Sequence, residues 1–374
     1  MRDDRPNRAV AEYPTIDLDG CITDVPGLQV GQTRRAGRGW RTGTTVVVAP
    51  NGATAGVDVR GGGPGTHETD LLRPENLVEQ VHAICLTGGS AYGLAAATGV
   101  MLELERRGIG FAVGERGERV VPIVPAAVIF DLGRGGRFEH RPDLEFGSRA
   151  TRAARPRACA TGSEGAGTGA VSAGLQGGVG TASTRLDDGT IVAALAVVNS
   201  LGTVIDPSTG LPWETADLHG LRPPRSDERA ALRKHLERLR MPLTTGPGAP
   251  ESLNTTIGVV AVSARLTKAQ CTKVASVAHD GMARAIRPSH TMFDGDTVFG
   301  LAVGADGATD LTASSDRTGH LRLNRILEAG AACFAAACTA AIVRATSWPG
   351  GPPAYRDVCP SAWGRSDAPN RPKL

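Results

Sequence analysis

The run Asn254-Thr255-Thr256-Ile257-Gly258-Val259-Val260 sets an amide side chain and a hydroxyl just ahead of an apolar, strand-like segment, and Asp294-Gly295-Asp296-Thr297 precedes a second such segment. A threonine hydroxyl is a weak nucleophile until a nearby base takes its proton. If the peptide bond before Thr255 breaks, that residue gains a free α-amine beside its own hydroxyl, so nucleophile and general base sit in one residue. An α-amino group titrating near ~8 suits that task at neutral pH. These residues therefore suggest a self-processed hydrolase with an N-terminal threonine. Taken alone, Asn-Thr-Thr also reads as a turn. Asp294-Gly295-Asp296 also reads as a loop or a fragment of a calcium loop, but the further acidic ligands that calcium needs are missing. No metal and no cofactor is expected.

The elements that must hold these groups are set within 374 residues, of which 41% are hydrophobic and 4% aromatic. That is enough for one large core, and a single catalytic domain over residues 1–374 is expected. The net charge of +3 comes from interspersed acids and bases, with no basic stripe carrying aromatics, so nucleic acid is not an expected partner. The seven cysteines form no CxxC pair and mostly sit in apolar surroundings, as in Ala83-Ile84-Cys85-Leu86, which reads as reduced thiols in a cytoplasmic protein. The amino terminus has no apolar leader core, and no run is read as long enough to span a membrane.

Glycine is the compositional outlier, at 49 residues. Gly61-Gly62-Gly63-Pro64-Gly65 and Gly88-Gly89-Ser90-Ala91-Tyr92-Gly93 each follow a strand-like run, where the backbone must turn tightly or approach something closely. Neither has the Lys-Ser/Thr ending of a phosphate loop, so turns framing a substrate pocket are the better reading. Thr44–Val48, Val192–Val198, Ile257–Val262 and Val298–Val303 read as strands, with Asn199 at the end of the second. Leu94–Arg107 and Asn324–Ala345 read as alanine-rich helices, and Thr267 as the cap of another. Val121–Phe130 contains Pro122 and Pro125 and reads as an irregular wall of the core. Residues 206–254 are proline-rich around one short charged helix, an expected exposed, cleavable connector. Residues 348–374 read as a loop-like tail. β-Branched strands alternating with small-residue helices indicate layered sheets covered by helices, an α/β sandwich.

Several segments carry a resemblance. Thr23-Asp24-Val25-Pro26-Gly27-Leu28, Thr42-Gly43-Thr44-Thr45, Val57-Asp58-Val59-Arg60-Gly61-Gly62, His82-Ala83-Ile84-Cys85-Leu86-Thr87-Gly88-Gly89-Ser90, Gly165-Ala166-Gly167-Thr168-Gly169 and Asn254-Thr255-Thr256-Ile257 resemble, in order, the L-aminopeptidase/D-esterase (DmpA-type) family. That family includes β-peptidyl aminopeptidases and nylon-oligomer endohydrolases, and the pattern around Thr255 is closer to the latter. The resemblance implies an αββα sandwich of the DmpA/ornithine acetyltransferase type. It also implies a precursor that cuts itself into 1–254 (α) and 255–374 (β), assembled into a homo-oligomer of processed protomers. Carried onto this chain, the cut bond is Asn254-Thr255 and Thr255 is the nucleophile. Asn199 holds the oxyanion, and Asp294 and Asp296 support the Thr255 amine and hydroxyl; on a strand, two such carboxylates would face one side.

Two positions depart from the pattern. Leu175 stands where relatives often place a lysine near the active site, which removes a cation, and Phe130 stands where the nylon-oligomer hydrolases have a tyrosine. Together with Tyr92 they are the candidate pocket residues, although Tyr92 also reads as a core tyrosine. His82, His279 and His290 are not spaced as metal ligands, and His82 reads as structural. Asp58, Glu68 and Asp70 are candidates to grip a substrate amine. The leading expectation is an aminopeptidase or amidase acting on small peptides or linear amides through an acyl-threonine. Acyl transfer on the same fold, and a non-catalytic scaffold or small-molecule binder, are the alternatives.

Overall fold

The computed structural model describes residues 14–214, 220–240, 253–304, 307–313 and 316–363. Its strands are β1 (Gln29–Gly37), β2 (Trp40–Val59), β3 (Thr66–His67), β4 (Gln80–Thr87), β5 (Phe111–Val113), β6 (Arg119–Val121), β7 (Ala126–Val128), β8 (Val171–Ser172), β9 (Leu175–Gln176), β10 (Gly178–Arg185), β11 (Ile191–Asn199), β12 (Thr255–Val262) and β13 (Thr297–Ala302). The helices are α1 (Ser90–Gly93), α2 (Ala95–Glu105), α3 (Leu144–Ala153), α4 (Ser226–Arg240), α5 (Lys268–Ala285), α6 (Arg317–Val343) and α7 (Tyr355–Val358).

Nine strands make one sheet in the order β10-β11-β12-β13-β2-β4-β7-β3, with β1 also paired to β2. The long strand β2 is the fold's hinge. Its first half pairs with β4, the register shifts between Val48 and Ala53, and its last residues, Thr54 to Val59, pair with β13. Such a break bends and twists a strand, and here it folds the sheet into two layers. Side-chain alternation confirms the layering. Val192, Ala194 and Val260 point into a core under α5 and α6, while Ala193, Leu195 and Val259 point the other way and meet Val47, Ile84 and Leu86. Their neighbours Val46, Val48 and Cys85 face outward onto Ala97, Val100 and Ala150 of α2 and α3. The result is the αββα sandwich that the sequence led us to expect.

Most sequence-derived elements recur with shifted ends. The Thr267 cap forms, with Gln270 completing a capping box. The proline-bearing wall is irregular, with β6 and β7 on either side of Pro122–Pro125. Three expectations change. The connector is not simply exposed, because Leu221, Leu232 and Leu236 enter the α5/α6 core; the i, i+4 leucines of α4 were masked by the charges around them. Residues 215–219 and 241–252 of that connector lie outside the described residues. The tail is not loop-like up to Trp363, since Tyr355 and Cys359 are buried and the Tyr355 hydroxyl donates to the Gly210 carbonyl at 2.7 Å. Residues 364–374 lie outside the described residues. Finally, α6 is long and apolar enough to cross a membrane, but 83% of its most apolar stretch is buried inside the protein, as a core helix.

The contact of α6 with the sheet depends on small residues. A Cβ on Gly180 of β10 would stand 1.9 Å from the Ala337 carbonyl oxygen of α6. Backbone cannot yield that distance locally, so Gly180→Val must push α6 off the sheet. Overpacking of this kind costs about 3 kcal/mol. Urea titration should show a lowered midpoint with an unchanged slope; an unchanged midpoint would mean that α6 does not pack on β10 as described.

Candidate active site

Three strand ends meet at Thr255. Antiparallel pairing puts Asn199, the last residue of β11, opposite Thr255, the first residue of β12. Strand β13 runs parallel to β12, pairing Thr297 with Ile257, and an isolated parallel bridge extends this pairing to Asn254 and Asp294. The Gly295 N–H donates to the Asn254 carbonyl at 3.0 Å, and the Asn254 N–H donates to the Phe293 carbonyl at 2.9 Å. The Thr255 hydroxyl donates to the same Asn254 carbonyl. One carbonyl thus lies between a fixed backbone donor and the hydroxyl of the next residue. Gly295 must lack a side chain, because a Cβ there would sit 2.9 Å from Thr255 Oγ1 and 2.8 Å from the Gly63 carbonyl oxygen.

Asp294 and Asp296 flank that glycine, on the loop entering β13 rather than on the strand, so strand alternation does not set their direction. Asp294 accepts from the Thr291 N–H and hydroxyl at 2.9 and 2.6 Å. Asp296 accepts from the Thr256 N–H at 2.7 Å and from His290 Nδ1 at 2.8 Å. Both carboxylates are buried. Burial, then the charge of Asp296, raises the Asp294 pKa. The glycine run after β2 buttresses this loop, with the Gly63 N–H on the Asp294 carbonyl at 2.9 Å and the Arg60 N–H on the Asp296 carbonyl at 3.0 Å. It is a close backbone approach, as its composition suggested.

His290 was missed as a site residue because a lone histidine in a loop carries no spacing signal. Its ring lies edge-on to His279 at 4.8 Å, and burial pushes His279 down to about 4. His82 is structural, as expected: its Nδ1 accepts from the Ile123 N–H at 3.1 Å. Among the described residues no group of histidine, cysteine, aspartate and glutamate could hold a metal ion.

Asn199 is fully buried in a different set of contacts from those expected. Its Oδ1 accepts from Arg134 Nη1 at 2.8 Å and from the Val171 N–H at 2.9 Å, which fixes the amide orientation. Its Nδ2 consequently donates to the Phe130 carbonyl at 3.2 Å. In the uncut chain the backbone donor on the Asn254 carbonyl is therefore Gly295.

Arg134 is the second residue the sequence did not disclose. Its Nη2 donates to the Leu253 carbonyl at 2.6 Å and to Asn254 Oδ1 at 3.3 Å, and its guanidinium lies 5.5 Å from the centre of the half-buried Phe130 ring. Burial lowers its pKa to about 10, opposed by Asp131, so it stays charged at neutral pH. Asp131 is held by the Thr42 hydroxyl at 2.6 Å and by the Gly89 N–H at 2.7 Å, which gives the second glycine run its purpose. The site therefore keeps a cation, delivered from the loop after β7. Leu175 does not line the site; it is buried in the α5/α6 core. Tyr92 is not a core residue, being 57% exposed with the Arg141 guanidinium 3.8 Å above its ring. Asp58 pairs with Arg60, Glu68 accepts from the Val124 N–H, and Asp70 pairs with Arg73. A cleft of about 570 Å³ lined by Thr54, Arg265 and Val303 lies at the opposite end of β12 and β13.

Comparison with known proteins shows the family. The model of peptidase family S58 matches residues 20–352. An uncharacterized aminopeptidase of Mycobacterium leprae is 48% identical over 367 residues, covering 92% of this chain and 95% of its own length. A 6-aminohexanoate-oligomer endohydrolase of Kocuria is 31% identical over 312 residues, covering 80% of this chain and 79% of that protein. Among solved structures, a Burkholderia β-aminopeptidase superposes with a TM-score of 0.67 at 22% identity, covering 95% of this chain and 97% of that one. This last likeness is one of fold.

The Asp131 carboxyl, raised by burial to about 6, makes stability depend on pH. A carboxyl with a higher pKa folded than unfolded holds its proton more tightly in the folded state. Its contribution is therefore fully present below about pH 4 and declines as pH rises toward 6. Chemical denaturation of wild type and Asp131→Asn across that window should show the wild type losing up to about 3 kcal/mol relative to the variant. Parallel curves would place Asp131 in a more polar environment than described.

Proposed function

The chain belongs to peptidase family S58, and from that premise we propose that it is a self-processing hydrolase whose nucleophile is Thr255, acting on small peptides or linear amides. Family membership makes it a hydrolase of amide bonds; the threonine mechanism is our reading. The observation that carries it is the Asn254 carbonyl, which accepts from the Gly295 N–H at 3.0 Å and from the hydroxyl of Thr255 itself. Attack of that hydroxyl on the adjacent carbonyl carbon moves the acyl group from nitrogen to oxygen. The negative charge developing on the Asn254 oxygen meets the Gly295 N–H, a preorganised donor of a kind worth about 3 kcal/mol of barrier. That shift breaks the Asn254–Thr255 C–N bond and frees the α-amine, which takes the hydroxyl proton; water then hydrolyses the ester, releasing the Asn254 carboxylate and restoring the Thr255 hydroxyl.

In turnover that amine takes the hydroxyl proton while Thr255 Oγ1 attacks the substrate carbonyl. The leaving amine takes the proton, and water then releases the acyl group from the threonine. The backbone bridge of Asp294 to Asn254 and the Asp296 bond to the Thr256 N–H tie the loop that carries both aspartates to the chain beside Thr255, which supports the role we give them in holding the new ammonium. Asn199, across the strand pair, keeps its amide on Arg134 and the Phe130 carbonyl, so in this reading it positions Arg134 and the Gly295 N–H is the oxyanion donor. All seven cysteines are free and all but Cys159 are buried, which favours a cytoplasmic setting.

The mechanism is tested by acid-quenching the protein during hydrolysis of an amino-acid p-nitroanilide and weighing its fragments. The substrate acyl group should appear on the fragment that begins at Thr255, and Thr255→Ala should lose roughly a thousandfold or more in kcat/KM. Acyl label on any other residue, or full activity of the variant, would refute the threonine assignment.

A further inference from the structure

The residues ahead of Thr255 do more than wait to be cut. During self-cleavage the Thr255 hydroxyl attacks the Asn254 carbonyl, and during turnover the same hydroxyl attacks a substrate carbonyl held at the same donor. Leu253 and Asn254 therefore trace the path of a substrate's acyl portion, and the groups that grip them are the groups a substrate meets. Three contacts define that path. The Asn254 N–H goes to the Phe293 carbonyl at 2.9 Å. The Leu253 carbonyl and Asn254 Oδ1 both go to Arg134 Nη2, at 2.6 and 3.3 Å. Arg134 is itself fixed by Asn199 Oδ1 at 2.8 Å and by its own carbonyl, which accepts from Arg41 Nη1 at 2.8 Å. Leu253 itself is 37% exposed, so an acyl group at its position meets solvent.

We propose that Arg134 is the specificity-determining residue of this acyl path, selecting acyl groups that present a hydrogen-bond acceptor where the Leu253 carbonyl or Asn254 Oδ1 lies. The favoured substrates are acyl residues whose nitrogen is already acylated, as within a longer amide chain, and residues with carboxamide or carboxylate side chains. An acyl residue with a free amine in place of the Asn254 N–H offers Arg134 no carbonyl where the Leu253 one lies, and the aspartates and glutamates considered as amine grips are engaged elsewhere, Asp58 with Arg60 and Glu68 with the Val124 N–H. A planar guanidinium suits the task because one fork can serve a backbone carbonyl and a side-chain oxygen together. The selectivity makes the protein an endo-acting amidase rather than one restricted to free amino termini.

This rests on the threonine-hydrolase reading, and the experiment separates the two. Wild-type protein, confirmed by mass to be cut before Thr255, is assayed with the p-nitroanilides of N-acetyl-Leu-Asn and of free-amine Asn, alongside Arg134→Met. The wild type should favour the acetylated compound in kcat/KM by at least about tenfold, the scale of one hydrogen bond to a charged group. Arg134→Met should bring the ratio within about twofold. A wild-type ratio near one, or a ratio that survives Arg134→Met, overturns the role of Arg134 while leaving the hydrolase reading intact. Hydrolysis of neither compound by the cut protein overturns both. If Arg134→Met stays uncut, the wild-type ratio decides, with a value below twofold overturning the proposal.

Discussion

The hydrogen bond from the Gly295 N–H to the Asn254 carbonyl, at 3.0 Å, exists because β12 and β13 leave the same end of the sheet in parallel. Almost everything nearby serves that contact. The missing side chain at Gly295 leaves room for the Thr255 hydroxyl, the flanking aspartates tie their loop to β12 and to Thr291, and the glycine run after β2 clamps the loop from behind. None of these interactions is strong alone. Their worth lies in fixing a donor before charge develops, so that no reorganisation is required at the moment of reaction.

The sandwich supplies the rigidity this requires. Strands β11 and β12 are buried on both faces, one against α5 and α6 and the other against the second layer, so the register that sets Asn199 opposite Thr255 cannot slip without exposing a whole hydrophobic face. The bend in β2 carries β4 and β7 over the top, and the loop after β7 brings Asp131 and Arg134 down to the site. One strand irregularity thereby links the second layer to the chemistry of the first.

Thr255, Asp294 and Asp296 were legible in the sequence because small polar residues ahead of β-branched runs mark strand entries, and the motifs around them are long. The layered α/β sandwich was legible in the alternation of β-branched runs with small-residue helices, whereas its αββα order came only through the family resemblance. Arg134 was not: an arginine between Gly133 and Gly135 has the look of a solvated loop charge, and its partners Leu253, Asn254 and Asn199 lie far along the chain. Reading Leu175 as a lost cation followed from treating the site as a set of aligned positions, whereas in this chain a different loop brings a cation, Arg134, to the site. The buried leucines of α4 and the buried Tyr355 were hidden by flanking charges and prolines, because local composition does not report which face tertiary packing will cover.

The most direct measurement is an intact-mass time course on freshly folded wild-type protein at several concentrations, with Thr255→Ala beside it. The account predicts two wild-type fragments divided between Asn254 and Thr255, appearing at a rate independent of protein concentration, and a single persistent chain in the variant. A wild-type chain that stays whole, or a cut at another bond, would contradict it.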